Sequence, residues 1–194
     1  MNELQARAQA FERLLHIEYR MILGRKGKTV EIILRFDAEN FHHLAGLHKL
    51  STLRISRARR QTVFRDVLQG KVAYTDLEKS PSFDKISKRL YYLLYLEELL
   101  DSNELIFRYN PKVDAMSLMV ADYLLISPKD SDEIYIFISK DERTGVFYCR
   151  SFFPKTGKDY TRGQVKFTLL YKEKTNLSTG ETVVQYDKLT SKIQ

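Results

Sequence analysis

Residues 41–50 read FHHLAGLHKL and hold three of the chain's four histidines, His42, His43 and His48. Imidazoles bind transition metals, exchange protons near neutrality, or bond to backbone inside a core. On one continuous helix, at about 100° per residue, Phe41, Leu44, Leu47 and Leu50 form a buried stripe. His48 then falls inside the stripe as a structural histidine, His43 sits at its margin, and His42 points away beside Gly46 and Lys49. Rings so placed diverge, and positions 42, 43 and 48 contain no i, i+4 pair of the kind that shares a metal. The single cysteine, Cys149, offers no thiol cluster in compensation. The expectation is no metal and no cofactor. His43, at the stripe's edge, is the histidine best placed to meet a substrate and transfer a proton.

Two other segments could hold phosphate. SFFPKTGKDYTRGQ combines Ser151, Lys155, Lys158, Tyr160 and Arg162 with two glycines. Ammonium, guanidinium and backbone N–H groups in such a loop bind anions. It is not a nucleoside-triphosphatase loop: Phe152 stands five positions before Gly157, and Asp159 follows Lys158 where a hydroxyl residue is required. ISRARRQ places Arg57, Arg59 and Arg60 at a helix start, where positive charge opposes the helix dipole and a bound anion would offset the cost. The alternative in both places is an ordinary solvated cationic surface.

The net charge of +7 is concentrated. Residues 24–71 contain eleven Lys plus Arg and four Asp plus Glu, and the remainder of the chain has 21 of each. A clustered excess points to a polyanionic partner such as nucleic acid. No apolar run reaches the length of a membrane span, the opening MNELQARAQAFERLL is not a secretory signal, and a lone cysteine suits a reducing cytoplasm.

The elements that must position these residues read as α+β. Leu4, Ala8, Phe11 and Leu15 mark one face of an opening helix. YRMILGRKGKTVEIILRF reads as a β-hairpin turning at GRKGK. Asp37 can cap the histidine helix, RARRQTVFRDVLQG a basic helix, and FDKISKRLYYLLYLEELLDS one long core helix. From residue 104 onward LIFRY, ADYLLISP, EIYIFISK, GVFYCRSFF, QVKFTLLYK and TVVQYDKL read as strands of a mostly antiparallel sheet. One domain over 1–194 is expected, with 1–103 mainly helical apart from the hairpin and 104–194 mainly strands.

Three stretches, KTVEIILRFDAENFHHLAGLHKL, KSPSFDKISKRL and SFFPKTGKDYTRGQ, resemble in order and spacing a phage- and mobile-element-associated nuclease family of Firmicutes, one of the barnase–EndoU–colicin–RelE-like groups. The resemblance implies a barnase/RelE-like core and a metal-independent ribonuclease, acting as a toxin or phage effector with RNA as substrate and an acidic antitoxin or inhibitor as a possible partner. It places His43, Leu44, Gly46, Leu47, Lys49, Ser80, Arg89, Ser151 and Tyr160 at motif positions. It does not assign base and acid, since the only glutamate near the histidines is Glu39, one turn before His43. The rival reading is a non-catalytic nucleic-acid-binding or protein-interaction module with the same basic surface.

Overall fold

The structure, a computed structural model, describes residues 2–102, 105–113 and 117–190. Helix α1 (Glu3–Leu14) starts where the Asn2 side chain accepts from the Gln5 N–H, and it buries Leu4, Ala8, Phe11 and Leu14. Strands β1 (Ile17–Arg25) and β2 (Lys28–Arg35) form the expected hairpin. Its tip places both Lys26 and Gly27 at positive φ, a conformation whose twist matches the flanking strands. Helix α2 (Ala38–Leu44) is capped by Asp37, with Asn40 bonding back to the Asp37 N–H.

The helical region divides more finely than its periodicity suggests. The basic segment is a 3-10 turn over Arg54–Arg57 followed by α3 (Arg60–Leu68). A short α4 (Tyr74–Glu78) comes next. The long core helix is two, α5 (Asp84–Leu93) and α6 (Leu96–Asp101), broken at Leu94 and Tyr95.

Strands β3 (Leu105–Arg108), β4 (Tyr123–Lys129), β5 (Asp132–Lys140), β6 (Phe147–Pro154), β7 (Val165–Asn176) and β8 (Thr182–Asp187) follow. All pairings are antiparallel except β2 with β6. The sheet is mostly antiparallel, as expected, but it is not open. The N-terminal hairpin inserts between the ends of the C-terminal strands: β1 pairs with β7 and β2 with β6. The order β1-β2-β6-β5-β4-β3-β7 therefore returns to β1 as a closed seven-strand barrel, with β8 outside it. Strand β7 makes closure possible by its length, pairing β1 along one edge and sharing the other between β3 and β8. Alternation along single strands carries no sign of such closure.

Strands β4 and β5 are buried on both faces, which is why they read as near-continuous apolar runs. Tyr123, Leu125, Ile134, Ile136 and Ile138 join the main core with the helices. Leu124, Ile126, Tyr135 and Phe137 face the other way into a smaller cluster, covered by Phe153 and Tyr160.

Candidate active site

The histidine helix ends early. Gly46 takes φ +76°, and a 3-10 turn over Leu47–Lys49 follows. The break is imposed by packing on α5. A Cβ at Gly46 would lie 2.7 Å from Ile86 Cγ2 and 3.2 Å from Arg89 Cδ, so only glycine allows both the left-handed turn and the close approach. The reversal changes where all three histidines go. The His48 ring folds back onto His43, with centroids 4.4 Å apart and planes at 8°. His48 is exposed, which corrects its expected place inside the apolar stripe. His42, expected to point away, is buried, with Nε2 2.9 Å from the Ile55 carbonyl. The rings are neighbours, and the inference of divergence fails because it assumed a continuous helix.

Arg89 projects from α5 beside this pair. It is 6% exposed, donates from Nη1 to the His43 carbonyl at 3.3 Å, and lies 5.7 Å from the Phe153 ring centroid. Among the described residues no carboxylate forms an ion pair with it. Burial lowers its pKa to about 10. Lys85, Lys88 and Arg89 share a face of α5 by their i, i+3, i+4 spacing.

A β-bulge supplies the opposite wall. Phe137 pairs with Ser151 and Ile138 with Cys149, leaving Arg150 as an extra residue on β6. Cys149 and Phe152 remain in the main core, while Phe153 packs on the other face. The extra residue turns Ser151 to the Phe153 side, the re-aiming that bulges perform near functional sites. Tyr160 packs edge-to-face on Tyr135, Phe137 and Phe153 at 5.3–5.7 Å.

These elements enclose a cleft of about 570 Å³ lined by His43, His48, Lys49, Arg89, Ser151 and Tyr160. Lys85, Lys88 and Asp84 also line it. Sequence reasoning missed these three, although helical spacing links Lys85 to both Lys88 and Arg89. Among the described residues that line the cleft, Asp84 is the one carboxylate beside four cations, of which Lys88 also lies 3.6 Å from Asp132. Desolvation, then Arg89, lowers His43 to about 4, with smaller effects from Arg60, Arg150 and His42. Desolvation, then His43 and Arg89, lowers His48 to about 4. Lys49 is lowered by desolvation, then by Arg89 and Lys85. Both cleft imidazoles are therefore neutral at pH 7 and able to accept protons, in a basin suited to a phosphate.

Other sequence candidates lie elsewhere. Arg57 lines a separate groove with Arg54, Arg59 is exposed at the start of α3, and Arg60 lines a third groove with Tyr148 and Lys140. Lys155 is 2.7 Å from Glu133. Lys158 and Arg162 line a groove that meets the cleft at Tyr160. Ser80 is buried and bonded to Thr52 at 3.1 Å, joining the 51–57 segment to the start of α5. Glu39 faces the Arg60 groove, away from the cleft. Among the described residues no group of three or more His, Cys, Asp or Glu side chains could hold a metal ion, and no helix is long and apolar enough to cross a membrane.

No curated protein and no solved structure matches the chain. One family model does, over residues 3–189, which takes in every element of the cleft. The chain belongs to the phage-Barnase-EndoU-ColicinE5/D-RelE like nuclease 4 family.

Proposed function

We propose that the cleft cleaves RNA by internal attack of a ribose 2′-hydroxyl on the adjacent phosphorus, without a metal ion. The observation that carries this reading is the convergence of His43, Lys49, Arg89, Ser151 and Tyr160, from three separate stretches of sequence, on one cationic cleft. In the proposed step neutral His43 takes the 2′-hydroxyl proton as the 2′-oxygen bonds to phosphorus. The bond from phosphorus to the 5′-oxygen breaks, and that oxygen takes a proton from Lys49, whose ammonium is made more acidic by burial and by Arg89 and Lys85. The products are a 2′,3′-cyclic phosphate and a 5′-hydroxyl. Arg89, Lys85 and Lys88 carry the added negative charge of the transition state. The Ser151 hydroxyl, which has no hydrogen bond to protein among the described residues, donates to a phosphate oxygen. The stacked His48 fixes the His43 ring. A divalent cation is disfavoured where four cations face one carboxylate.

The phage association in the family's description supports a phage or mobile-element effector acting on cytoplasmic RNA as a toxin, and a cleft of this charge fits an acidic inhibitor protein. The test is incubation of purified protein with RNA, with and without chelator, and with RNA whose 2′-positions are methylated. Cleavage that survives chelator and disappears on methylation supports the reading. Metal-dependent cleavage, or binding of RNA with no cleavage, sinks it, the latter in favour of a binding module.

A further inference from the structure

Tyr160 belongs to two cavities at once. On one side is the cleft with His43 and Arg89. On the other is a groove of about 730 Å³ lined by Lys158, Arg162, Gly157, Gly163 and Tyr109, among others. The groove is built rather than incidental. Gln164 Oε1 accepts from the Asn110 N–H at 2.7 Å, and its Nε2 donates to the Asn110 carbonyl at 3.1 Å. Gly163, at φ +72°, presses on the 111–113 turn so closely that a Cβ would meet Val113 Cγ1 at 2.7 Å. Gly157, also at positive φ, has open space where a Cβ would stand. Among the described lining residues the one carboxylate, Asp159, is turned to protein: Oδ1 accepts from the Thr161 N–H, the Thr161 hydroxyl and the Tyr135 hydroxyl. Arg162 is exposed and makes no ion pair among the described residues.

The ring between the cavities is rigid. Three aromatic neighbours hold Tyr160, and the Lys158 ammonium stands 5.1 Å from its centroid. A pinned aromatic ring flanked by cations, between two grooves, is the arrangement that holds a nucleic acid strand by stacking one base and tracking its phosphates. A base in a duplex is already stacked and cannot reach such a ring.

We propose that the substrate is a single strand that crosses Tyr160. The scissile phosphate lies in the histidine cleft, the neighbouring base stacks on the Tyr160 ring, and the next phosphate lies in the second groove on Arg162 and Lys158. This rests on the ribonuclease reading for the cleft but concerns strand binding, which can be measured without turnover. Recognition then extends beyond a dinucleotide and excludes duplex.

The experiment is fluorescence anisotropy with labelled, fully 2′-O-methylated oligonucleotides: a dinucleotide, a single-stranded hexanucleotide and a duplex. The hexanucleotide should bind at least tenfold more tightly than the other two. The Lys158→Glu/Arg162→Glu variant should lose most of that gain and flatten the salt dependence by about 0.7 log units per log unit, the worth of the one single-strand phosphate that the two cations share. Tyr160→Leu should weaken hexanucleotide binding by about tenfold through lost stacking, with little change in salt slope. Melting curves check that each variant is folded, and Lys158→Gln/Arg162→Gln replaces the charge reversal if that variant melts early. Equal affinity for dinucleotide and hexanucleotide, preference for duplex, or parental binding by the double variant overturns the proposal. If the hexanucleotide is held as described while unmodified RNA is not cleaved, the chemistry assigned to the cleft fails and the strand path stands.

Discussion

The imidazoles of His43 and His48 lie face to face, 4.4 Å between centroids, although five positions separate them. A regular helix would put residues five apart well round its circumference, too far for rings to stack. The stack exists because the chain turns at Gly46, and Gly46 turns because α5 passes too near for any side chain. The position of the cleft's two imidazoles is thus set by one glycine and its approach to Ile86 and Arg89.

Replacing Gly46 tests that dependence. Gly46→Ala should cost about 2–5 kcal/mol, combining roughly 1–2 for a non-glycine residue in the left-handed region with 1–3 for overpacking. Urea denaturation measures it. A loss under about 1 kcal/mol would mean that α5 yields easily and that the turn is not under this constraint.

The two histidines should separate by their burial. His43 is half-buried and bonded through its carbonyl to Arg89, whereas His48 is exposed. His43→Ala should reduce RNA cleavage at least about a hundredfold, the usual scale of general acid–base catalysis. His48→Ala should reduce it by only about tenfold, since the ring it steadies remains. Neither should lower the melting temperature greatly. A larger loss of activity for His48→Ala than for His43→Ala would reverse the assignment.

A base held at about 4 gives its own pH signature. The acid limb of kcat/KM, which reports free enzyme, should lie near pH 4 and not near the ordinary imidazole value of about 6.5. Bound phosphate adds negative charge beside His43, so the limb of kcat should lie at higher pH. A kcat/KM limb near 6.5 would show that burial and Arg89 do not act on the histidine proposed as the base.

The same depression has a stability consequence. Between about pH 4 and 6.5 the unfolded chain protonates His43 and His48 and the folded chain does not. The unfolded state therefore binds more protons, and stability rises with pH through that window and is lost as pH falls through it. Melting temperature should drop less between pH 7 and pH 4.5 in His43→Gln/His48→Gln than in the parent. Equal drops would assign the acid sensitivity wholly to other groups.

Much of this was legible along the chain. The hairpin turn, the Asp37 cap and every C-terminal strand announce themselves locally, because caps, turns and alternation are near-neighbour effects. Lys85 was legible too, one turn before Arg89 on a recognised helix, and Lys88 one turn after Lys85. Barrel closure was not, since it depends on β1 meeting β7 about 150 residues away. Nor was the break at Gly46, because a lone glycine is tolerated in helices and the reason for this one lies on α5. Arg57, Arg59 and Arg60 show what a charge count omits: it finds basic residues but not which surface they face, and these line no wall of the cleft. The extra residue at Arg150 carries no sequence mark, yet it turns Ser151 towards the site.

Arg89 gives the sharpest separation of stability from function. It is a buried cation with no carboxylate partner among the described residues, held by one hydrogen bond to a carbonyl and by the Phe153 ring. Such a charge is costly to bury, and removing it in favour of an apolar side chain of similar length is often neutral or stabilising. Arg89→Met should therefore lose no more than about 1 kcal/mol, the usual worth of the hydrogen bond to His43, and can gain stability. Cleavage should nevertheless fall at least about a hundredfold, because the buried cation beside the histidines no longer meets the transition-state charge. One further readout separates this from simple damage. Arg89 lowers the pKa of both His43 and His48, so its removal should raise both towards the ordinary value, visible as a shift of the imidazole proton titrations in NMR. A variant that is strongly destabilised, or one that keeps parental activity with unmoved histidine titrations, would remove Arg89 from the centre of the site.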